Sequence, residues 1–265
     1  MNLKLTQNTV LITGGSSGIG KAITKMYAEE PGIRIAFTYH TNEEAASILT
    51  TQLKQQGVSV VAVPMDLEDH ESIGQAVNKV VDVFGSIDAL VNNAVFWGSP
   101  GFRGMGFEDI PIEEWEKIFR INLLGTVKMI QTVIPFMKKN NFGRIVNISS
   151  DIALDSMPGS GPYGMMKAAL SGLTANLVTE YSAHNILSNL VIPSLTFTDE
   201  AKKRFPEAFQ EAAKKAFPTN RVTRPEDVAS LVAYLGSGTN THVNGEQIRV
   251  TGKGSQPMLN ALYHS

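Results

Sequence analysis

Tyr163 and Lys167 stand four residues apart in Tyr163-Gly164-Met165-Met166-Lys167, a spacing that places both on one face of a helix. The lysine ammonium can then lie close to the phenol. A free tyrosine titrates at about 10. A neighbouring cation stabilises the phenolate and draws that value towards neutrality, as general acid/base work requires. Ser150 closes the segment Ile148-Ser149-Ser150, and its hydroxyl can donate a hydrogen bond to a carbonyl oxygen. Taken alone, a Tyr and a Lys at this spacing equally describe a solvated helix face.

A second constellation lies near the start of the chain. Thr13-Gly14-Gly15-Ser16-Ser17-Gly18-Ile19-Gly20 follows the apolar run Thr9-Val10-Leu11-Ile12 and precedes a helical pattern. Glycines at such a turn let the backbone approach a pyrophosphate, whose charge meets the exposed N–H groups of the helix start. The spacing is G-x-x-x-G-x-G. The same residues also match G-x-S-x-G, the nucleophile elbow of α/β-hydrolases. That reading needs upstream strands for the oxyanion loop and a downstream acid and histidine, and no such set stands out.

The elements that must position these residues alternate. Strands are predicted over 9–12, 33–39, 58–63, 87–91, 144–149, 186–192 and 247–250. Helices are predicted over 21–29, 43–56, 71–84, 112–138, 162–183, 199–216 and 225–235. Short, nearly all-apolar strands separated by helices imply a parallel sheet covered on both faces, an α/β doubly wound fold of Rossmann type in one domain over 1–265. A helical insertion around 194–218 would cover the substrate. Gly98–Gly106 is a glycine-rich loop, read either as a solvated insertion or as a mobile flap. Ligands in such sheets bind beyond the carboxyl ends of the strands.

Together these motifs resemble the classical short-chain dehydrogenase/reductase family over residues 6–252. The matching features are Thr13-Gly14-x-x-x-Gly18-Ile19-Gly20, Asp66-Leu67, Asn92-Asn93-Ala94, Asn122, Ser150 and Tyr163-x-x-x-Lys167. Ser150 lies 13 residues before Tyr163 and 28 after Asn122, as in that family. The resemblance implies hydride transfer between a nicotinamide and an alcohol/ketone carbon. Tyr163 would be the acid/base and Ser150 would polarise the carbonyl. Lys167 would bind the nicotinamide ribose, and Asn122 would tie a water to Lys167. The cofactor would lie against Gly14, Ser16, Ser17, Gly18, Ile19 and Gly20, then Tyr39, His40 and Thr41, then Asp66 and Leu67. Asn93, Ala94, Tyr163, Lys167, Pro193, Thr196 and Thr198 would complete its site, with Asn92 along the adenosine side. Three positions depart from the family pattern: Val95 and Ser194 each replace a glycine, and Thr251-Gly252-Lys253 replaces Asp-Gly-Gly.

NAD-binding members carry an acid at the end of the second strand for the ribose 2′-OH. Tyr39 occupies that position, and His40, Thr41 and Asn42 follow it. NADP(H) is therefore the expected cofactor, with NAD(H) as the alternative. The general look is nearest to 3-oxoacyl-carrier-protein reductases and related ketoreductases. Carrier-docking arginines of that group are matched by Asn141 and His184, with Lys138 and Lys139 nearby. Phe96, Trp97, Phe102, Phe197, Phe205 and Phe209 flank the expected pocket mouth and suggest an apolar or aromatic ketone. Three classes stay open: a ketoreductase, an NAD-dependent alcohol, sugar or steroid dehydrogenase, and a non-catalytic dinucleotide sensor.

Composition narrows the setting. The 265 residues carry 23 Lys+Arg against 25 Asp+Glu, a net charge of -2, so no global basic field attracts nucleic acid or anionic lipid. There is no cysteine, which excludes disulfides and thiolate sites. His40, His70, His184, His242 and His264 are scattered without metal-ligand spacing, so no metal is expected. No basic-then-apolar leader is evident at the N-terminus, and the cytoplasm is the expected compartment. The two long helices would pair with their copies in a homotetramer or homodimer.

Overall fold

The computed structural model describes residues 3–99 and 105–254. Residues 100–104 of the glycine-rich loop and His264 lie outside the described residues. Among the described residues, seven strands form one sheet: β1 (Thr9–Ile12), β2 (Arg34–Tyr39), β3 (Ser59–Pro64), β4 (Ala89–Asn92), β5 (Gly143–Ile148), β6 (Ile186–Pro193) and β7 (Gln247–Val250). All pairs are parallel, in the order β3-β2-β1-β4-β5-β6-β7. β1 thus sits between β2 and β4. The strand order reverses there, and the loops after β1 and β4 open into one crevice.

Successive side chains of a strand point to opposite faces. Val10 and Ile12 of β1 join one core with α1 (Gly18–Ala28), α2 (Glu43–Gln55) and α9 (Pro225–Leu235), whereas Leu11 joins the opposite core with α3 (His70–Phe84) and α5 (Gly125–Asn140). Val146 and Ile148 against Ile145 repeat the division in β5. β1 and β4 are therefore apolar on both sides, which is why they read as continuous runs, whereas the edge strand β7 exposes Gln247 and Arg249. Among the described residues, no helix is long and apolar enough to cross a membrane.

Two expected helices are interrupted. The span expected as one helix over 112–138 comprises α4 (Ile112–Ile118), a π-helical segment over Phe119–Leu124, and then α5. Asn122 accounts for the change of pitch: its side-chain amide donates to Ile118 O at 3.0 Å, the carbonyl that its own α-helical N–H would take. The helix expected over 199–216 is two, α7 (Asp199–Arg204) and α8 (Glu207–Ala216). Pro206 has no N–H to continue the ladder, and it forces Phe205 into an extended conformation at φ −96°, ψ 132°. α6 (Gly161–Tyr181) carries Pro162 in its first turn, where the missing donor costs nothing.

Candidate active site

The turn after β1 is shaped by what its glycines allow. Gly14 and Gly18 adopt positive φ, +64° and +51°, which side chains disfavour. A Cβ on Gly15 would lie 2.5 Å from Phe37 Cβ and 2.8 Å from Thr24 Oγ1, and one on Gly20 would overlap Gly14 O. The turn is tied down from both neighbouring strands. Thr38 Oγ1 accepts from Gly14 N at 3.1 Å. Thr13 Oγ1 accepts from Asn93 N and Ala94 N, each at 2.9 Å, and Asn93 Nδ2 donates to Thr13 O at 2.9 Å. Ser17 stands at the N-cap of α1, yet its side chain makes no capping bond. The first-turn N–H groups beside Ser17, Gly18 and Ile19 are left to solvent or an anion, which fits a dinucleotide pyrophosphate. Ser16 is buried behind the turn.

At the carboxyl ends of β5 and α6's first turns, the expected acid/base group assembles. Tyr163 is 7% exposed and Lys167 5%, with Lys167 Nζ 5.8 Å from the Tyr163 ring centroid. Nζ donates to Ile148 O at 2.7 Å, and Ser149 Oγ donates to Lys167 O at 3.0 Å. Burial lowers the Lys167 pKa to about 8, because a charged ammonium is poorly solvated there. Ser150 caps a short 3₁₀ turn, its Oγ accepting from Ile152 N at 3.3 Å. Asn122 is buried, and its side chain is committed to the loop after β4: Oδ1 accepts from Phe96 N at 2.7 Å and Nδ2 donates to Phe96 O at 3.0 Å. That amide therefore fixes the loop after β4. Asn92 is buried too, and its Nδ2 donates to Asn147 Oδ1 at 2.9 Å.

Beyond β2, Tyr39 is half-buried while His40 and Thr41 stand exposed. His40 Nε2 lies 3.5 Å from Asp66 Oδ2, so the loops after β2 and β3 meet at this edge. Leu67 is buried between α3 and α5. From β6, Pro193 leads to Thr196, whose Oγ1 donates to Ser194 O at 2.8 Å, and to Thr198, whose Oγ1 accepts from Ala201 N at 3.1 Å and caps α7. Thr198 also meets the glycine turn: a Cβ on Gly18 would lie 3.4 Å from its methyl. Phe197, Phe205, Phe209 and Phe217 form a small core under α7 and α8.

Residues 14–252 match the family model described as enoyl-(acyl carrier protein) reductase. The chain belongs to the short-chain dehydrogenase/reductase family. It is 33% identical to the 3-oxoacyl-(acyl-carrier-protein) reductase of Thermotoga maritima over 94% of this chain and 98% of that protein. A 7α-hydroxysteroid dehydrogenase complexed with NADH and 7-oxo glycochenodeoxycholic acid superposes with a TM-score of 0.87 at 27% identity, covering 96% of this chain and 97% of the other. A Burkholderia cenocepacia short chain dehydrogenase in complex with NADP gives 0.83 at 28%, covering 94% and 98%. The chain is thus an oxidoreductase that interconverts a carbonyl and an alcohol with a nicotinamide cofactor.

In this dehydrogenase/reductase site, Asn147 was not foreseen from the sequence, and for Trp97 and Val95 the contacts were not. Asn147 interrupts the apolar β5 and donates to Thr174 Oγ1 at 3.1 Å; a buried amide in a strand interior signals a partner. Trp97 stacks on Tyr163 at 5.1 Å between ring centroids and 21° between planes, and no periodicity announces a contact made from a loop. Val95, one of the departures from the family pattern, packs with Ile110, Ile118, Tyr163 and Met166.

Proposed function

We propose that the chain is a ketoreductase preferring NADPH, with Tyr163 as general acid, Ser150 as carbonyl hydrogen-bond donor and Lys167 as the cation beside both phenol and ribose. The observation that carries the reading is the burial of Tyr163 and Lys167 together on one face of α6, at the strand edge where Ser150 ends β5's extension. When bound, the cofactor supplies the hydride. Tyr163 donates its proton as the carbonyl oxygen gains charge, and Ser150 holds that oxygen. The uncapped start of α1 and the glycines at 14, 18 and 20 receive the pyrophosphate. Asp66 and Leu67 flank the adenine. Asn93 and Ala94 line the turn, and Pro193, Thr196 and Thr198 lie along the carboxamide side. Oxidation of NADPH and NADH, measured against 3-oxoacyl thioesters, cyclic ketones and aromatic ketones, tests this. Turnover with none of them overturns it.

The cofactor preference rests on the end of β2. Tyr39 offers no carboxylate to a ribose 2′-OH, and His40 is the base at hand. Asp66, 3.5 Å away, opposes the phosphate, which keeps the preference modest. The expected Kd for NADPH is lower than for NADH by about tenfold, or ~1.4 kcal/mol, in fluorescence titrations. Equal affinities overturn the role of His40. Asn141 and His184 replace the carrier-docking arginines, which favours a free ketone over a carrier-bound one. Location in the cytoplasm and a homotetramer (or homodimer) complete the proposal.

A further inference from the structure

Trp97 combines two properties that rarely go together: it is 53% exposed, yet it is held in place on both sides. Its neighbour Phe96 is bonded through both backbone polar groups to Asn122, and Ser99 N donates to the buried Glu114 carboxylate at 2.6 Å. Between these anchors the indole lies nearly parallel to the Tyr163 ring. We infer that Trp97 is a specificity-determining wall of the substrate site and selects rigid ring ketones, cyclic or aryl, over flexible 3-oxoacyl chains. A carbonyl oxygen that reaches the Tyr163 hydroxyl must carry its substituents past the indole. A flat ring stacks on an aromatic face in one pose, whereas a flexible chain must give up rotamer freedom to lie there.

This inference rests on the ketoreductase reading, and the experiment separates their failures. Steady-state kinetics with NADPH are measured for wild type, Trp97→Ala and Trp97→Phe on a bicyclic ketone, an aryl ketone and a short 3-oxoacyl thioester of a small thiol. Wild type is expected to show the higher kcat/KM on the ring ketones. Trp97→Ala should raise KM for the ring ketones about tenfold while changing kcat less than about threefold, and should leave the thioester within about threefold. Trp97→Phe should restore most of the loss. Wild-type preference for the thioester, or an equal effect of Trp97→Ala on both classes, overturns the inference and leaves the ketoreductase reading standing. Should Trp97→Ala fail to fold, Trp97→Phe against wild type gives the same comparison, with a smaller KM rise confined to ring ketones. No reduction of any ketone by wild type overturns the ketoreductase reading instead.

Discussion

At the scale of single residues, Lys167 shows function opposing stability. Burial moves its ordinary lysine value of 10.5 down to about 8. Between those two values the unfolded chain holds a proton that the folded chain has released, so raising pH from 8 to 10.5 favours folding. Below pH 8 both states are protonated, and the buried ammonium costs about 3 kcal/mol. Lys167→Met removes that cost and leaves Ile148 O without its donor, a loss of about 1 kcal/mol. The variant should therefore be inactive yet about 2 kcal/mol more stable at pH 7, with the gain shrinking above pH 8. Urea unfolding at both pH values measures this; a less stable variant would contradict it. The pairing itself was legible, because an i, i+4 spacing survives any detail of packing. Trp97 and Asn122 were singled out too, but not their contacts, which cross between a loop and two helices.

At the scale of elements, the β1 turn and the helix breaks illustrate different kinds of legibility. Apolar runs and glycines announced the central strands and the cofactor turn, because a strand covered on both faces has no polar side to confuse the pattern; the edge strand β7, with Gln247 and Arg249 exposed, gave a weaker signal. The π segment over Phe119–Leu124 was hidden, as its apolar spacing passes through without a break. Pro206 stood in plain view, yet amphipathic spacing on either side of it joined two helices into one. The turn's tight packing makes a sharp prediction. Gly20→Ala would press a methyl onto Gly14 O, and overpacking of this kind costs about 1–3 kcal/mol. Since backbone must move, the main loss should be in dinucleotide affinity, by more than about tenfold. Isothermal titration with NADPH checks it, and unchanged affinity would show that the turn does not hold the cofactor.

At the scale of the whole molecule, alternation of strand and helix announced a doubly wound parallel sheet, but more than one strand order satisfies it, and the crevice between β1 and β4 is set by the order the structure adopts. Assembly is not written in that way. Leu124 is 49% exposed on the π segment and Met165 55% on α6, the two long stretches expected to meet their copies. Light scattering at micromolar concentration should give a dimeric or tetrameric mass, and Leu124→Lys combined with Met165→Glu should reduce it. A monomeric wild type would contradict this assignment.

Carbonyl reduction as proposed depends above all on the proton from Tyr163. The most direct measurement is kcat of Tyr163→Phe with NADPH and the best ketone substrate, with NADPH affinity measured alongside. A loss of about 10²–10⁴ in kcat with affinity unchanged is expected. A variant that keeps more than about a tenth of the wild-type kcat would contradict it.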